Sequence, residues 1–198
     1  VGEKRTPPAD ADRASRFEAI FSAAYPRVLA YARRRAADPG SAEEAVSETF
    51  LIAWRRLGVV PSENPLPWLL GTARKVLANQ RRSARRRAAN GPHANLDFID
   101  VGDPGPLISE ELAERDAFAQ AFSALGERDR EVLSLIAWDG LAVREAADVM
   151  GCTATAFSIR LHRARRRFLK ELQRSGHSLG EGSKQPPLAQ RPGTTEAR

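Results

Sequence analysis

The stretch LAVREAADVMGCTATAFSIRLHRARRRFLKEL, residues 141–172, sets one glycine between two apolar periodicities, and the role of that glycine decides the fold. Before it, Val143, Ala146, Ala147 and Val149 or Met150 share a helical face. After it, Phe157, Leu161, Ala164, Phe168 and Leu172 recur at spacings of 4, 3, 4 and 4, the signature of one buried stripe. Gly151 suits the left-handed position that closes a helix, and Thr153 can cap the next. Two helices joined by a tight glycine turn make a helix-turn-helix. The second helix leaves Thr155, Ser158, Ile159, His162, Arg163 and Arg166 exposed, with Thr153 and Arg160 alongside. In such a motif the front half of the helix enters the major groove and arginines farther along meet phosphates. The short residues at the front permit close approach to base edges, and Arg163, Arg165, Arg166 and Arg167 hold the backbone. A helical hairpin with a solvated basic face is the plainer reading; the Gly-turn-Thr arrangement favours DNA binding. His162 either touches DNA or lies solvated, and Cys152 reads as a small core residue.

Composition agrees with an acidic partner. The 198-residue chain carries a net charge of +6, mostly as arginine, whose planar fork suits phosphate. One cysteine excludes an internal disulfide framework, and with three scattered histidines it offers no zinc spacing, so no metal or cofactor is expected. No apolar run reaches membrane-spanning length, and the first residues lack a signal-peptide core. The expectation is a soluble protein of the reducing cytoplasm, without a membrane partner.

Upstream, Leu125, Gly126 and Glu127 introduce a helix with Val132, Leu133, Leu135, Ile136 and Trp138, closed by Asp139 and Gly140. This all-helical module spans 110–173. Before it, Asp97, Asp100, Asp103, Glu110, Glu111, Glu114 and Asp116 form an acidic stretch punctuated by NGP and GDPGP, read as a flexible linker over 88–109. A first module, 15–87, precedes the linker. There Phe17, Ile20, Phe21 and Ala24 recur at helical spacing, and Pro26 opens a second short helix with Val28, Leu29 and Ala32 inward. DPGS at 38–41 is a turn, and SAEE at 41–44 has the form of a capping box. The helix it starts buries Val46, Phe50, Ala53, Trp54 and Leu57 and exposes Glu43, Glu44, Ser47 and Glu48. GVVPSENPLP at 58–67 is too irregular for a periodic element. Pro67 then suits a helix start, with Leu66, Leu69, Leu70, Ala73, Val76 and Leu77 as its apolar stripe. Arg74, Lys75, Arg81 and Arg82 fall largely on its other side. Residues 1–14 and 174–198 are polar and read as flexible tails.

Three segments carry a resemblance: SAEEAVSETFLIAWRRL at 41–57, PLPWLLGTARKVLANQRRSARRR at 65–87, and the helix-turn-helix with its preceding helix at 125–168. In order and separation they resemble the second and fourth conserved regions of bacterial RNA polymerase sigma factors, in the extracytoplasmic-function group. The resemblance implies an all-helical protein with two small domains and no catalytic chemistry. It implies core polymerase, through its largest and second-largest subunits, and promoter DNA in double- and single-stranded form as partners. An anti-sigma protein is a further possible partner.

It also implies roles. The acidic helix face would dock on polymerase through Glu43, Glu44, Ser47, Glu48 and Arg55, although a solvated acidic face would look the same. Relatives carry Asp and Gln where this chain has Glu44 and Ser47. The 59–65 loop would receive a base flipped from the −10 strand, with Ser62, Glu63 and Asn64 offering polar groups and Val59 and Val60 beside them. Lys75 and Asn79 stand where relatives have Asn and Asp. Arg74, Lys75, Arg81, Arg82, Arg85 and Arg86 would track the DNA backbone. The −35 element would fall to Thr153, Thr155, Ser158, Ile159, Arg160, His162, Arg163 and Arg166. The linker's Asp97, Asp100 and Asp103 would either mimic phosphates in a polymerase channel or merely keep the modules soluble. A stand-alone helix-turn-helix regulator and a recombinase with a helical DNA-binding end are the rival readings. The second would need a carboxylate cluster or an activated Ser or Tyr, and neither module has room for one.

Overall fold

A computed structural model describes residues 8–89 and 109–174. Seven α-helices follow in order, and among the described residues there is no strand: α1 Pro8–Arg33, α2 Pro39–Arg55, α3 Leu66–Ala89, α4 Ser109–Ser123, α5 Glu127–Ala137, α6 Val143–Met150 and α7 Ala154–Arg174. A single 3₁₀ turn, Leu57–Val59, lies between α2 and α3.

The first module is α1 to α3. Ile20, Ala24, Val28, Tyr31 and Ala32 of α1 are buried in an unbroken helical row. The helix break expected at Pro26 does not occur, and α1 continues through it. Proline costs a helix interior about 3 kcal/mol. Burial on both sides offsets that cost, because a break would swing Val28 and Tyr31 off the row. Phe21 and Tyr25, both before the proline, pack against Phe50 of α2, with ring centroids 4.7 and 6.1 Å from it. The tail expected over 1–14 is shorter than the sequence indicated, since residues 8–14 already belong to α1. Arg13 holds that early turn, its guanidinium 4.8 Å over the Trp54 ring and its Nη2 donating to the Trp54 carbonyl.

α2 also starts earlier than expected. Asp38, not Ser41, is the N-cap; its carboxylate accepts from the Ser41 amide at 2.9 Å and from the Ser41 hydroxyl, and Pro39 occupies the first helical turn. An ionised carboxylate satisfies the orphan amides better than a serine hydroxyl does. The Ser41 hydroxyl and amide hold the Asp38 pKa below the usual carboxylate range. The α3 stripe is buried as the periodicity predicts, from Leu66 to Leu77.

In the second module Gly151 has φ +63° and the Ala156 amide donates to Thr153 Oγ1 at 3.2 Å, so the glycine turn and threonine cap both form. Phe157, Leu161, Ala164 and Leu172 are buried, with Phe168 half-buried beside them. Phe118, Phe122, Trp138 and Phe168 make a small aromatic cluster between α4, α5 and α7.

The modules pack against each other. One apolar interior runs from α1, α2 and α3 through α5, α6 and α7. α3 crosses α6 so closely that a Cβ on Gly71 would stand 3.7 Å from the Val149 Cα. The sequence reading treated the modules as separate; it contains no sign of this contact. Residues 90–108 of the expected linker, with Asp97, Asp100 and Asp103, lie outside the described residues, as do residues 1–7 and the tail from 175.

Candidate nucleic-acid interface

α7 carries two opposite rows. One is the buried stripe; the other exposes Thr155, Ser158, Ile159, His162, Arg163, Arg165 and Arg166, with the cap residue Thr153 exposed just before it. Ile159 is 49% exposed, a large apolar side chain left at the front of the helix. Arg160 is half-buried, at the edge of the row. Arg167 differs from its neighbours: its Nη1 donates to Asp129 of α5, so it is tied inside the module instead of standing free for phosphate. Cys152 is half-buried against the core, as its small size suggests.

In the first module the loop before α3 presents Ser62, Glu63 and Asn64, all exposed. Val59 is 64% exposed, whereas Val60 is 2% exposed and belongs to the core. Val60 is therefore corrected from a candidate DNA contact to an anchor of the loop. Its amide donates to the Leu57 carbonyl and its carbonyl accepts from Arg16 Nη2 at 2.6 Å. On α3, Lys75, Asn79 and Arg82 are exposed along one face, and Arg74 is half-buried. Arg82 donates to Asn79 Oδ1 at 2.6 Å, which orients the amide. Arg85 and Arg86 are exposed at the far end. Glu43, Glu44, Ser47, Glu48 and Arg55 all lie exposed on α2. Glu44 accepts from Gln80 of α3 at 3.3 Å, and Glu43 stands 3.8 Å from Arg33.

The strongest electrostatic feature lies at neither surface. Between the modules, Arg35 of α1 donates through Nε to Glu131 Oε2 at 2.6 Å and through Nη2 to Asp139 Oδ2 at 2.9 Å. The Arg35 and Asp139 side chains are 9% and 3% exposed. Arg34 pairs with the other Asp139 oxygen, Arg27 donates to the Asp139 carbonyl at 2.6 Å, and Tyr31 donates to Glu131 Oε1 at 2.9 Å. The Arg35 guanidinium also stacks 3.7 Å over the Tyr31 ring. Burial, then the Glu131 charge, raise the Tyr31 phenol well above its ordinary value, so it stays neutral and donating through the physiological range. Burial opposes the Arg35 charge, but Tyr31, Glu131 and Asp139 outweigh it and hold its pKa above the ordinary value. Sequence reasoning missed this cluster. The available signal was Tyr31 and Arg35, four residues apart, continuing the buried row of Val28 and Ala32.

Among the described residues no group of three His, Cys, Asp or Glu side chains could hold a metal, and no helix is long and apolar enough to cross a membrane. Residues 20–87 match the family model Sigma-70 region 2, and residues 115–168 match Sigma-70, region 4. Over 140 residues the chain is 31% identical to the ECF RNA polymerase sigma factor SigC of Mycobacterium tuberculosis, spanning 69% of this chain and 72% of that protein. It is also 31% identical over 168 residues to the probable RNA polymerase sigma factor RfaY of Xanthomonas campestris, covering 83% of this chain but only 42% of that longer protein. In fold it is similar to the sigma factor RpoE of Bartonella quintana, solved in complex with the anti-sigma factor NepR. That likeness has a TM-score of 0.63 at 22% identity over 79% of this chain and 96% of the other. CnrH, solved with the cytosolic domain of CnrY, gives 0.54 at 22% identity over 80% and 88%.

Proposed function

This chain belongs to the sigma-70 family of bacterial RNA polymerase sigma factors, in its extracytoplasmic-function group, and from that premise we propose that it directs core polymerase to a particular set of promoters. Family members are transcription initiation factors and not enzymes, and core binding with promoter recognition is their general role. The exposed row of α7 carries the finer reading, with short residues at its front and arginines behind.

Thr155, Ser158 and Ile159 take the base edges of the −35 element, and Arg163 and Arg166 take the flanking phosphates. The Ser62–Asn64 loop takes an unstacked −10 base, for which polar groups must replace a few kcal/mol of lost stacking. Lys75, Arg82, Arg85 and Arg86 follow the strand beyond it. The exposed acids of α2 dock on the polymerase. Strand opening is then driven by binding energy alone. An anti-sigma protein is a further partner in this reading, supported by the likeness to the RpoE complex.

Co-purification with core polymerase, followed by run-off transcription on a genomic fragment library, tests the assignment. Defined start sites are expected; a chain that neither binds core nor directs any start site is not a sigma factor of this kind. Within the promoter contact, exchanging Ser158 and Ile159 shifts base preference by about 1–3 kcal/mol, while Arg166→Ala weakens all promoters alike and lowers the salt slope by about 1. Equal losses across sequences for both changes would reject that division of labour.

A further inference from the structure

The front of α7 lacks the side chains that most often single out one base. Arg, Lys, Asn and Gln make the paired hydrogen bonds that distinguish guanine or adenine in the major groove. Residues 153–159 read TATAFSI and hold none of them. The first exposed arginine of the row is Arg163, about one helical turn beyond Ile159. Three hydroxyl side chains and one apolar one remain, and the structure restricts two of the hydroxyls. Thr153 Oγ1 accepts from the Ala156 amide at 3.2 Å, which keeps that side chain on its own helix end. The Ser158 hydroxyl donates to the Ala154 carbonyl at 2.9 Å. A hydroxyl has one proton to give, so Ser158 turns only acceptor capacity outward. Beside it, Ile159 is 49% exposed. Thr155 lies three and four residues before them, so the three side chains form one contiguous patch.

An outward acceptor next to an outward apolar group is complementary to one kind of base-pair edge. In the major groove only adenine and cytosine offer an amino donor, and only thymine offers a methyl group. An A·T pair presents both, whereas a G·C pair presents the amine without the methyl. We propose that the front of α7 selects an A·T pair in the −35 element, with Ile159 covering the thymine methyl and Ser158 accepting from the adenine amino group. This deepens the promoter-binding reading above and rests on it. The two contacts do unequal jobs. An acceptor tolerates adenine or cytosine, so Ser158 alone does not separate the pairs. Ile159 supplies the discrimination, by burying a methyl group that cytosine lacks. What it reads is therefore a methyl on the pyrimidine ring, and 5-methylcytosine imitates thymine at this contact.

The test uses holoenzyme assembled from core polymerase and the full chain, on a promoter taken from its own run-off start sites. Each −35 thymine is replaced in turn by deoxyuridine, which removes only the methyl group. Competition binding is expected to weaken about fourfold at one position, the worth of one buried methyl, and to change little at the others. Ile159→Ala, made on an exposed side chain, is expected to bind thymine and deoxyuridine there equally. At the paired adenine, 2-aminopurine takes the amino group out of the major groove. It is expected to cost the native chain about fivefold and Ser158→Ala nothing further. With a G·C pair installed at that position, a 5-methyl group on the cytosine should recover about fourfold for the native chain and nothing for Ile159→Ala. A −35 element without thymine, deoxyuridine tolerated at every position, or a loss undiminished in Ile159→Ala would overturn the methyl contact. A 2-aminopurine loss equal in Ser158→Ala and the native chain would overturn the amine contact. Absence of any start site on unmodified DNA fails the sigma-factor reading, and this proposal with it, so the two failures are told apart before an analogue is used.

Discussion

The interior of each module is chiefly apolar, whereas the seam between them adds a buried ion cluster to the apolar core that both modules share. Inside, Leu69, Leu70, Val132, Leu135 and Phe157 exclude water with apolar side chains alone. At the seam α3 still meets α6 through apolar contact at Gly71 and Val149, but Arg35, Glu131 and Asp139 are buried beside it. Apolar burial is non-directional and gains in proportion to area, so it holds a fold against any modest rearrangement. Ion pairs gain little net free energy over water yet demand one geometry. The difference teaches that apolar contacts fold the modules and also join them, while the buried charges add a directional demand on how they sit together.

The largest expected effect comes from breaking the interior. Phe157→Ala removes a fully buried ring at the front of α7, and a loss of about 4 kcal/mol in urea denaturation is expected, with the second module unfolding first. A loss under about 1 kcal/mol would mean the stripe is not the core of that module. At the seam, Asp139→Ala strips acceptors from Arg34 and Arg35 and should destabilise the closed arrangement by about 3 kcal/mol. Circular dichroism should show the helices intact while the intermodule distance grows. Helix loss in step with separation would erase the distinction between seam and interior. Glu127→Gln sharpens the same contrast from the rim, because both it and Arg81 are largely solvated, and a change below about 1 kcal/mol that fades with salt is expected. The smallest effect concerns the α2 cap. The Asp38 pKa is depressed in the fold, so its contribution is present above the ordinary carboxylate value and is lost as pH falls through the lower folded value. Melting curves from about pH 5 to about pH 3 should therefore drop slightly more for the native chain than for Asp38→Asn, which keeps a capping oxygen but does not titrate. Parallel curves would remove Asp38 from the acid response.

Much of the fold was legible because it is written in local spacing. The 4, 3, 4, 4 stripe of α7, the left-handed Gly151 and the Thr153 cap each depend on residues within a few positions of one another. Where local rules failed, a distant partner had intervened. Pro26 stays helical because Ala24 before it and Val28 and Tyr31 after it are buried in one core. Val60 turns inward, fastened by Arg16 from α1. Residues 8–14 are helical with Trp54 as their support. The candidate site followed the same division: the exposed row of α7 was readable, but Arg167's attachment to Asp129 was not.

Arg33, Arg34 and Arg35 show the limit most clearly. As a sequence they are three identical side chains at the end of a helix, and helical periodicity assigns them three directions without saying what lies in each. In the tertiary structure Arg33 stays exposed near Glu43, Arg34 is half-buried against Asp139, and Arg35 is closed between two acids and a tyrosine ring. The sequence by itself determined two helical modules, a helix-turn-helix and an exposed basic helix face, because those follow from periodicity and turn chemistry within each segment. Only the tertiary structure decided that the modules close on each other and which charges meet there, because each of those pairs joins residues roughly a hundred positions apart whose affinity exists only once both faces have formed.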